Sequence, residues 1–249
     1  MATLNRFFVS TSDFEGDRVR LSREQAHQVR HVLRLVPGDG IVVLDDRGAE
    51  YDVTLTTVSQ KEAVGRVTGT RDAAGEPTVQ LTLFQSLLIR EKFEWVLQKA
   101  TEVGVAQIVP VLTARSLVRT KQVEENKLDR WHRIVVEAAE QSHRGRVPKI
   151  EPIIPFAEVF SRFVGFDRFL IAAPSQSATL RDVLRGIGRR DPSIALLIGP
   201  EGGFTDEEVA TASEKGAVPV GLGPRILRTE TAAVVASALI LYELGEMGS

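Results

Sequence analysis

Apolar and polar positions change rhythm once along the chain. Ahead of Ala73 the apolar residues come in short bursts at 6–9, 41–44, 51–55 and 64–67, which read as strands separated by polar turns. Ser22 is placed as an N-cap for a helix over 23–35, with Pro37-Gly38-Asp39-Gly40 as its stop. Ala73-Ala74-Gly75-Glu76-Pro77 has the composition of a linker, so two domains are expected, 1–73 and 74–249. Beyond it, apolar runs of strand length at 79–88, 106–112, 168–173, 194–198 and 218–222 alternate with helical patterns at 91–103, 124–142, 205–215 and 229–244. Gly104 and Gly216 sit just past two of those helices, as C-terminal stops do. Strands alternating with helices predict an α/β domain with a mostly parallel sheet. Trp95 and Trp131 are expected in the core. Lys99 and Glu102, one helical turn apart, are expected to form a surface ion pair.

Composition removes several chemistries. The 249 residues contain no cysteine, which excludes disulfides, a thiol nucleophile, thiolate-bound zinc and iron–sulfur clusters. Only His27, His31, His132 and His143 could serve as imidazole ligands, without HExxH spacing, so no metal site is expected. A hydrophobic fraction of 43% excludes disorder as the main state. The longest apolar run, 232–242, is interrupted by Ser237 and is too short to span a bilayer. With no basic-then-apolar leader visible, the expected location is the cytoplasm, without a membrane partner. Lys and Arg total 31 against 33 Asp and Glu, so any polyanion site must come from local segregation of charge.

Two glycine turns carry the candidate chemistry. The strand at 194–198 runs into Gly199-Pro200-Glu201-Gly202-Gly203 and then a helix whose Thr205 and Glu208 form a capping-box pair. A helix N-terminus attracts anions. This loop, however, lacks the P-loop lysine and the dinucleotide glycine pattern, and it carries Glu201, Asp206, Glu207 and Glu208. It therefore suits a positively charged ligand better than a phosphate; a purely structural turn is the alternative. The second turn, Leu222-Gly223-Pro224, leads through Arg225-Ile226-Leu227-Arg228 to the last helix. Two neighbouring strands ending in Gly-Pro could form two walls of one crevice at the carboxyl edge of a sheet, unless Arg225 and Arg228 are ordinary loop charges.

These two segments, 198–204 and 222–232, resemble the ribosomal RNA small subunit methyltransferase E family of the SPOUT superfamily. Gln98-Lys99-Ala100-Thr101-Glu102-Val103-Gly104, Ala138-Ala139-Glu140-Gln141-Ser142, and His27 with Val32-Leu33-Arg34 extend the resemblance in order along almost the whole chain. His143 departs from it, standing where a smaller residue is expected. The resemblance implies a small N-terminal PUA-like β-barrel that binds RNA and a C-terminal SPOUT α/β domain tied in a deep trefoil knot. It implies a homodimer, S-adenosylmethionine as methyl donor, and N3 of one uridine in 16S rRNA of the 30S subunit as target. It places the donor against Ala172 and Ala173, against Ile198, Gly199, Pro200, Glu201, Gly202 and Gly203, and against Leu222, Gly223, Ile226, Leu227 and Arg228. Arg228 is the expected electrostatic contributor to catalysis. Glu230 and Glu201 are the candidate carboxylates, the former a poor base at the positive end of a helix and the latter suited to attract a sulfonium.

For RNA, His27, Arg30, His31 and Arg34 fall on one helical stripe, opposite Ala26, Val29, Val32, Leu33 and Val36. A second basic group comprises His143, Arg144, Arg146 and Lys149 with Arg115, Arg119 and Lys121, either phosphate-binding or ordinary loop charge. The alternatives to this reading are another SPOUT RNA methyltransferase acting on a different base or a ribose 2′-oxygen, and a noncatalytic RNA-binding ribosome-assembly factor.

Overall fold

A computed structural model describes residues 4–118, 125–162, 165–173, 178–187 and 191–248. Contacts divide the chain into two compact units. The first runs to Glu76 and also takes in Ala139–Val147; the second comprises Pro77–Ala138 and the chain from Pro148 onward.

The first unit is a six-stranded sheet in the order β1 (Arg6–Phe8), β4 (Gly40–Leu44), β5 (Ala49–Val58), β6 (Ala63–Asp72), β3 (Arg18–Leu21), β2 (Phe14–Glu15). All pairs are antiparallel except β1 with β4. Alternation decides the faces: in β3, Val19 and Leu21 are buried and Arg18 and Arg20 exposed. The inward residues, among them Phe7, Val19, Leu21, Ile41, Val43, Val53 and Leu55, form one core with Ala26 and Val29.

The helix expected over 23–35 is shorter and changes pitch. Ser22 caps α1 (Arg23–His27) through a capping box, and a π-helical turn continues over Gln28–Val32. Arg34, with φ +57°, then leaves the helix in a left-handed conformation. Five residues per hydrogen-bonded loop rotate later positions off the expected face. Ala26 and Val29 are buried as expected, whereas Val32 and Val36 are exposed.

The segment 139–147 joins the first unit, not the second as a boundary at 73/74 implies. Glu140 Oε1 accepts from Phe8 N at 3.0 Å, and Asp46 Oδ1 accepts from Val147 N at 2.7 Å. Arg144, only 3% exposed, donates from Nη2 to Glu76 Oε2 at 2.7 Å. His143, the position that departs from the family pattern, has φ +61°, a left-handed conformation in which histidine is one of the commoner non-glycine residues.

The second unit is a parallel sheet in the order β10 (Ile154–Pro155), β8 (Gln107–Leu112), β7 (Gln80–Ser86), β12 (Ser193–Ile198), β11 (Arg168–Ala172), β13 (Val218–Val220), with β9 (Lys149–Ile150) also on β8. The central strands β7 and β12 are buried on both faces, as continuous apolar runs in a covered parallel sheet are. One face packs on α7 (Thr229–Glu243), which packs in turn on α2 (Arg90–Val103). On the other, Phe84, Val109, Phe169, Ile171 and Leu197 meet Phe156 of α4 (Phe156–Val159) and Val209 of α6 (Asp206–Glu214). The remaining helices are α3 (Glu125–Gln141) and the short α5 (Leu180–Leu184). No helix among the described residues is long and apolar enough to cross a membrane.

Trp131 is buried against Phe93, but Trp95 is 42% exposed, contrary to its expected core placement. Lys99 and Glu102 form the expected pair at 2.8 Å. On α7, Ala232, Ala233, Ala236, Ile240 and Leu241 are buried while Leu239 and Tyr242 remain exposed.

Candidate active site

The carboxyl ends of β11, β12 and β13 lie side by side, and the chain leaving each helps to build one cavity of about 590 Å³. A crevice at this edge is where open α/β sheets bind ligands. All thirteen positions expected to hold a ligand line it: Ala172 and Ala173 from β11, 198–203 from β12, and Leu222, Gly223, Ile226, Leu227 and Arg228 from the segment after β13. Glu230 lines it as well. Asp206 and Arg225, from the same two turns, line it too, and Lys92, Phe204, Val209, Val220, Thr229 and Ala232 complete it without having been expected.

The first glycine loop is held from three directions. Thr205 caps α6, with its Oγ1 accepting from Glu208 N at 3.1 Å and Glu208 Oε2 accepting from Thr205 N at 2.9 Å. Glu208 Oε1 also accepts from Ala114 N at 2.9 Å, so this buried carboxylate is bound into the scaffold. Arg115 donates from Nη1 to Gly202 O at 2.9 Å and Phe204 O at 3.2 Å. That makes Arg115 a clamp on the loop, a role its place in a basic cluster does not suggest. Arg119 and Lys121 lie outside the described residues. The third tie comes from the other glycine turn: Thr229 Oγ1, at the start of α7, donates to Gly199 O, and Gln85 Nε2 reaches Thr229 Oγ1 at 3.4 Å.

The glycines act differently from one another. Gly203 and Gly223 have φ +67° and +98°, where L side chains are strained. A Cβ on Gly199 would meet the Phe204 ring at 3.2 Å, and one on Gly202 would touch the Arg115 stem at 3.4 Å.

The charge in the cavity is mixed. Lys92, Arg225 and Arg228 line it together with Glu201, Asp206 and Glu230. Lys92 Nζ lies 3.4 Å from Glu201 Oε1. Glu201 Oε2 and Glu230 Oε2 are buried and accept from no described residue. Buried acceptors without donors are costly, so both oxygens fit a ligand bearing N–H or O–H groups and positive charge. Arg228 is exposed at the N-cap of α7; its carbonyl accepts from Ala232 N at 2.8 Å, and its guanidinium forms no ion pair among the described residues.

The residues expected to contact RNA belong to the first unit. His27, Arg30 and His31 are exposed on α1 and the π turn, with the two imidazoles 4.7 Å apart. Arg34 is exposed beyond the end of that helix, not one turn along its stripe. Arg146 is exposed and donates to Arg47 O at 3.4 Å. Buried Arg144 is paired with part-exposed Glu76 and does not present its guanidinium to a polyanion.

Comparison with known proteins is consistent over nearly the full length. The model of the RNA methyltransferase domain family matches residues 75–241. Ribosomal RNA small subunit methyltransferase E of Bacillus subtilis is 30% identical, covering 96% of this chain and 97% of its own. The protein of the same name from Synechocystis is 35% identical over 94% of this chain and 76% of its own. A crystal structure of ribosomal RNA small subunit methyltransferase E from Neisseria gonorrhoeae bound to S-adenosyl methionine superposes with a TM-score of 0.87 at 32% identity, over 96% of this chain and 98% of that one.

Proposed function

The chain belongs to the ribosomal RNA small subunit methyltransferase E family, and from that premise we propose that it methylates N3 of one uridine in 16S rRNA of the 30S subunit, with S-adenosylmethionine as donor. The observation that carries the reading is the pair of buried, unpartnered oxygens, Glu201 Oε2 and Glu230 Oε2, in a cavity walled by glycine backbone and apolar side chains. The donor's amine and ribose hydroxyls supply hydrogens for such acceptors, and its sulfonium supplies the positive charge that carboxylates favour. A phosphate-bearing cofactor would instead bring like charge beside both carboxylates.

When bound, S-adenosylmethionine supplies an electrophilic methyl group. The protein must position the uridine in line with it and favour loss of the N3 proton. Arg228, exposed at the cavity edge, stabilises the negative charge that the uracil ring then carries. Glu230, a poor base at the positive end of α7, is the candidate carboxylate to relay that proton to solvent, and Glu201 stays with the sulfonium. The chain contains no cysteine, so the covalent thiol route used for pyrimidine carbon methylation is closed to it.

The family pattern supports the rest of the reading. The first unit acts as a PUA-like RNA-binding barrel and engages phosphates through His27, Arg30, His31, Arg34 and Arg146. The family pattern implies that the second unit is tied in a trefoil knot around the donor. Two chains pair through α7 and α2, where Leu239, Tyr242 and Trp95 are exposed apolar surface; light scattering at the 27.3 kDa monomer mass would remove this pairing. The protein acts in the cytoplasm, where its substrate is.

The test is methyl transfer to 30S subunits from cells lacking the gene. Mass spectrometry of the digested 16S rRNA should show one new N3-methyluridine. A methyl on another base or a ribose oxygen would point to a different SPOUT activity. Absence of transfer together with absence of donor binding would favour a noncatalytic assembly factor.

A further inference from the structure

Lys92 is the one cavity cation already paired with a cavity carboxylate. It reaches in from the first turn of α2, with Nζ 3.4 Å from Glu201 Oε1 and side chains 31% and 20% exposed. Its charge brings the lining into balance, three cations against three carboxylates. Shape cannot explain why a donor pocket needs it, because the donor and its product are almost the same molecule. They differ in charge. In transfer, sulfur keeps the electron pair of the S–CH3 bond, the ring nitrogen forms the new N–CH3 bond, and the N3 proton passes to solvent. The sulfonium becomes a neutral thioether.

We propose that Lys92 is a specificity-determining residue that sets how strongly the pocket prefers the cationic donor over the neutral product, by opposing the charge of Glu201. This rests on the reading of the cavity as the S-adenosylmethionine site. Positive charge leaves the cofactor along the reaction, so an unopposed carboxylate stabilises the ground state more than the transition state and lowers turnover. The ammonium of Lys92 tempers that trap while leaving Glu201 Oε2 free to accept a hydrogen bond from the ligand.

Calorimetry with S-adenosylmethionine and S-adenosylhomocysteine on the wild-type protein and on Lys92→Met and Lys92→Arg tests the idea without turnover. In Lys92→Met, the ratio of product Kd to donor Kd should rise about fivefold, the scale of one unit charge acting across a part-hydrated pocket. Lys92→Arg should restore the wild-type ratio. In single-turnover assays Lys92→Met should lower the methyl-transfer rate while tightening donor binding. An unchanged ratio, with both ligands weakened equally, would show that Lys92 only buttresses the loop and would overturn the proposal. Failure of the wild-type protein to bind either ligand would instead overturn the cofactor reading beneath it.

Discussion

Replacing Thr229 with Val should separate the two glycine turns while leaving the shape of α7 unchanged. The Thr229 hydroxyl is the donor that ties Gly199 of the first turn to the helix that follows the second, and both residues are buried. Valine is isosteric but cannot donate. The Gly199 carbonyl loses this partner, and Gln85 Nε2 loses an acceptor at 3.4 Å. A buried acceptor deprived of its donor costs ~1–3 kcal/mol, centred near 2. Where the pocket must restore the loop geometry before it binds, that cost becomes a weakening of donor affinity of about thirtyfold at 2 kcal/mol. The cost also lowers the melting temperature by roughly 4–8 °C for a domain of this size. Calorimetry and thermal melting measure the two effects separately. Thr229→Ser keeps the hydroxyl and should bind like the wild type. If Thr229→Val binds donor as tightly as Thr229→Ser, the two turns are not coupled through this bond.

The same pocket yields further expectations. Gly223→Val should weaken donor binding through backbone strain of about 1–2 kcal/mol, because φ is +98° while the space around the residue is open; Gly202→Ala, which only touches the Arg115 stem, should be milder, and calorimetry giving the reverse order would refute the distinction. Arg228→Ala should reduce turnover by ~10²–10³ with donor affinity nearly intact, the scale of losing one preorganised donor, and wild-type turnover would exclude the role. Arg30→Ala with Arg34→Ala should weaken binding to the 30S particle and lower the salt slope by about 2, at roughly 0.9 per phosphate contact; an unaltered slope would remove both from the RNA surface. Burial alone would push the Glu50 carboxyl up, but hydrogen bonds from Arg6 and Arg71 outweigh it and hold it below the ordinary value. Its stabilisation is therefore complete above the usual carboxylate range and is lost as pH falls through the lowered value. Glu50→Gln should cost about 3 kcal/mol at neutral pH and flatten the acid limb of the stability curve, as chemical denaturation across pH would show.

The second unit was legible in the sequence because its signals are local. Apolar runs of strand length alternate with helical patterns, two of the runs lead into glycine turns and Thr205 caps α6, so five strands and four helices fall within a few residues of expectation. The first unit was less so. β3 carries its pattern in four residues, Arg18-Val19-Arg20-Leu21, too few to separate from loop by periodicity. The π turn over Gln28–Val32 was hidden for a different reason. Its residues are compatible with an ordinary helix, and the change of pitch shows only in where the hydrogen bonds go, as in Leu33 N to Gln28 O at 2.9 Å. Arg144 illustrates a third limit: a cation in a loop reads as surface charge until the fold brings Glu76, 68 positions away, against it.

The candidate site divides along the same line. Its walls were found through glycine turns, whose need for close backbone approach is written in residue type. Its chemistry depends on partners distant in sequence. Glu230 stands in the first turn of α7, where the helix dipole already favours a carboxylate, so nothing local asks for a further explanation; only burial shows that one of its oxygens lacks a donor. Lys92 carries the opposite signal. A cation in the first turn of a helix opposes the dipole, and Arg90-Glu91-Lys92 places two cations there for one carboxylate. Local electrostatics therefore argues against Lys92, and some tertiary interaction has to offset the cost. Arg90 finds Glu94 within its own helix at 3.1 Å, whereas Lys92 turns away to Glu201, in the glycine loop. A residue that is unfavourable where the sequence puts it, and satisfied only inside a ligand cavity, is one whose charge the cavity uses.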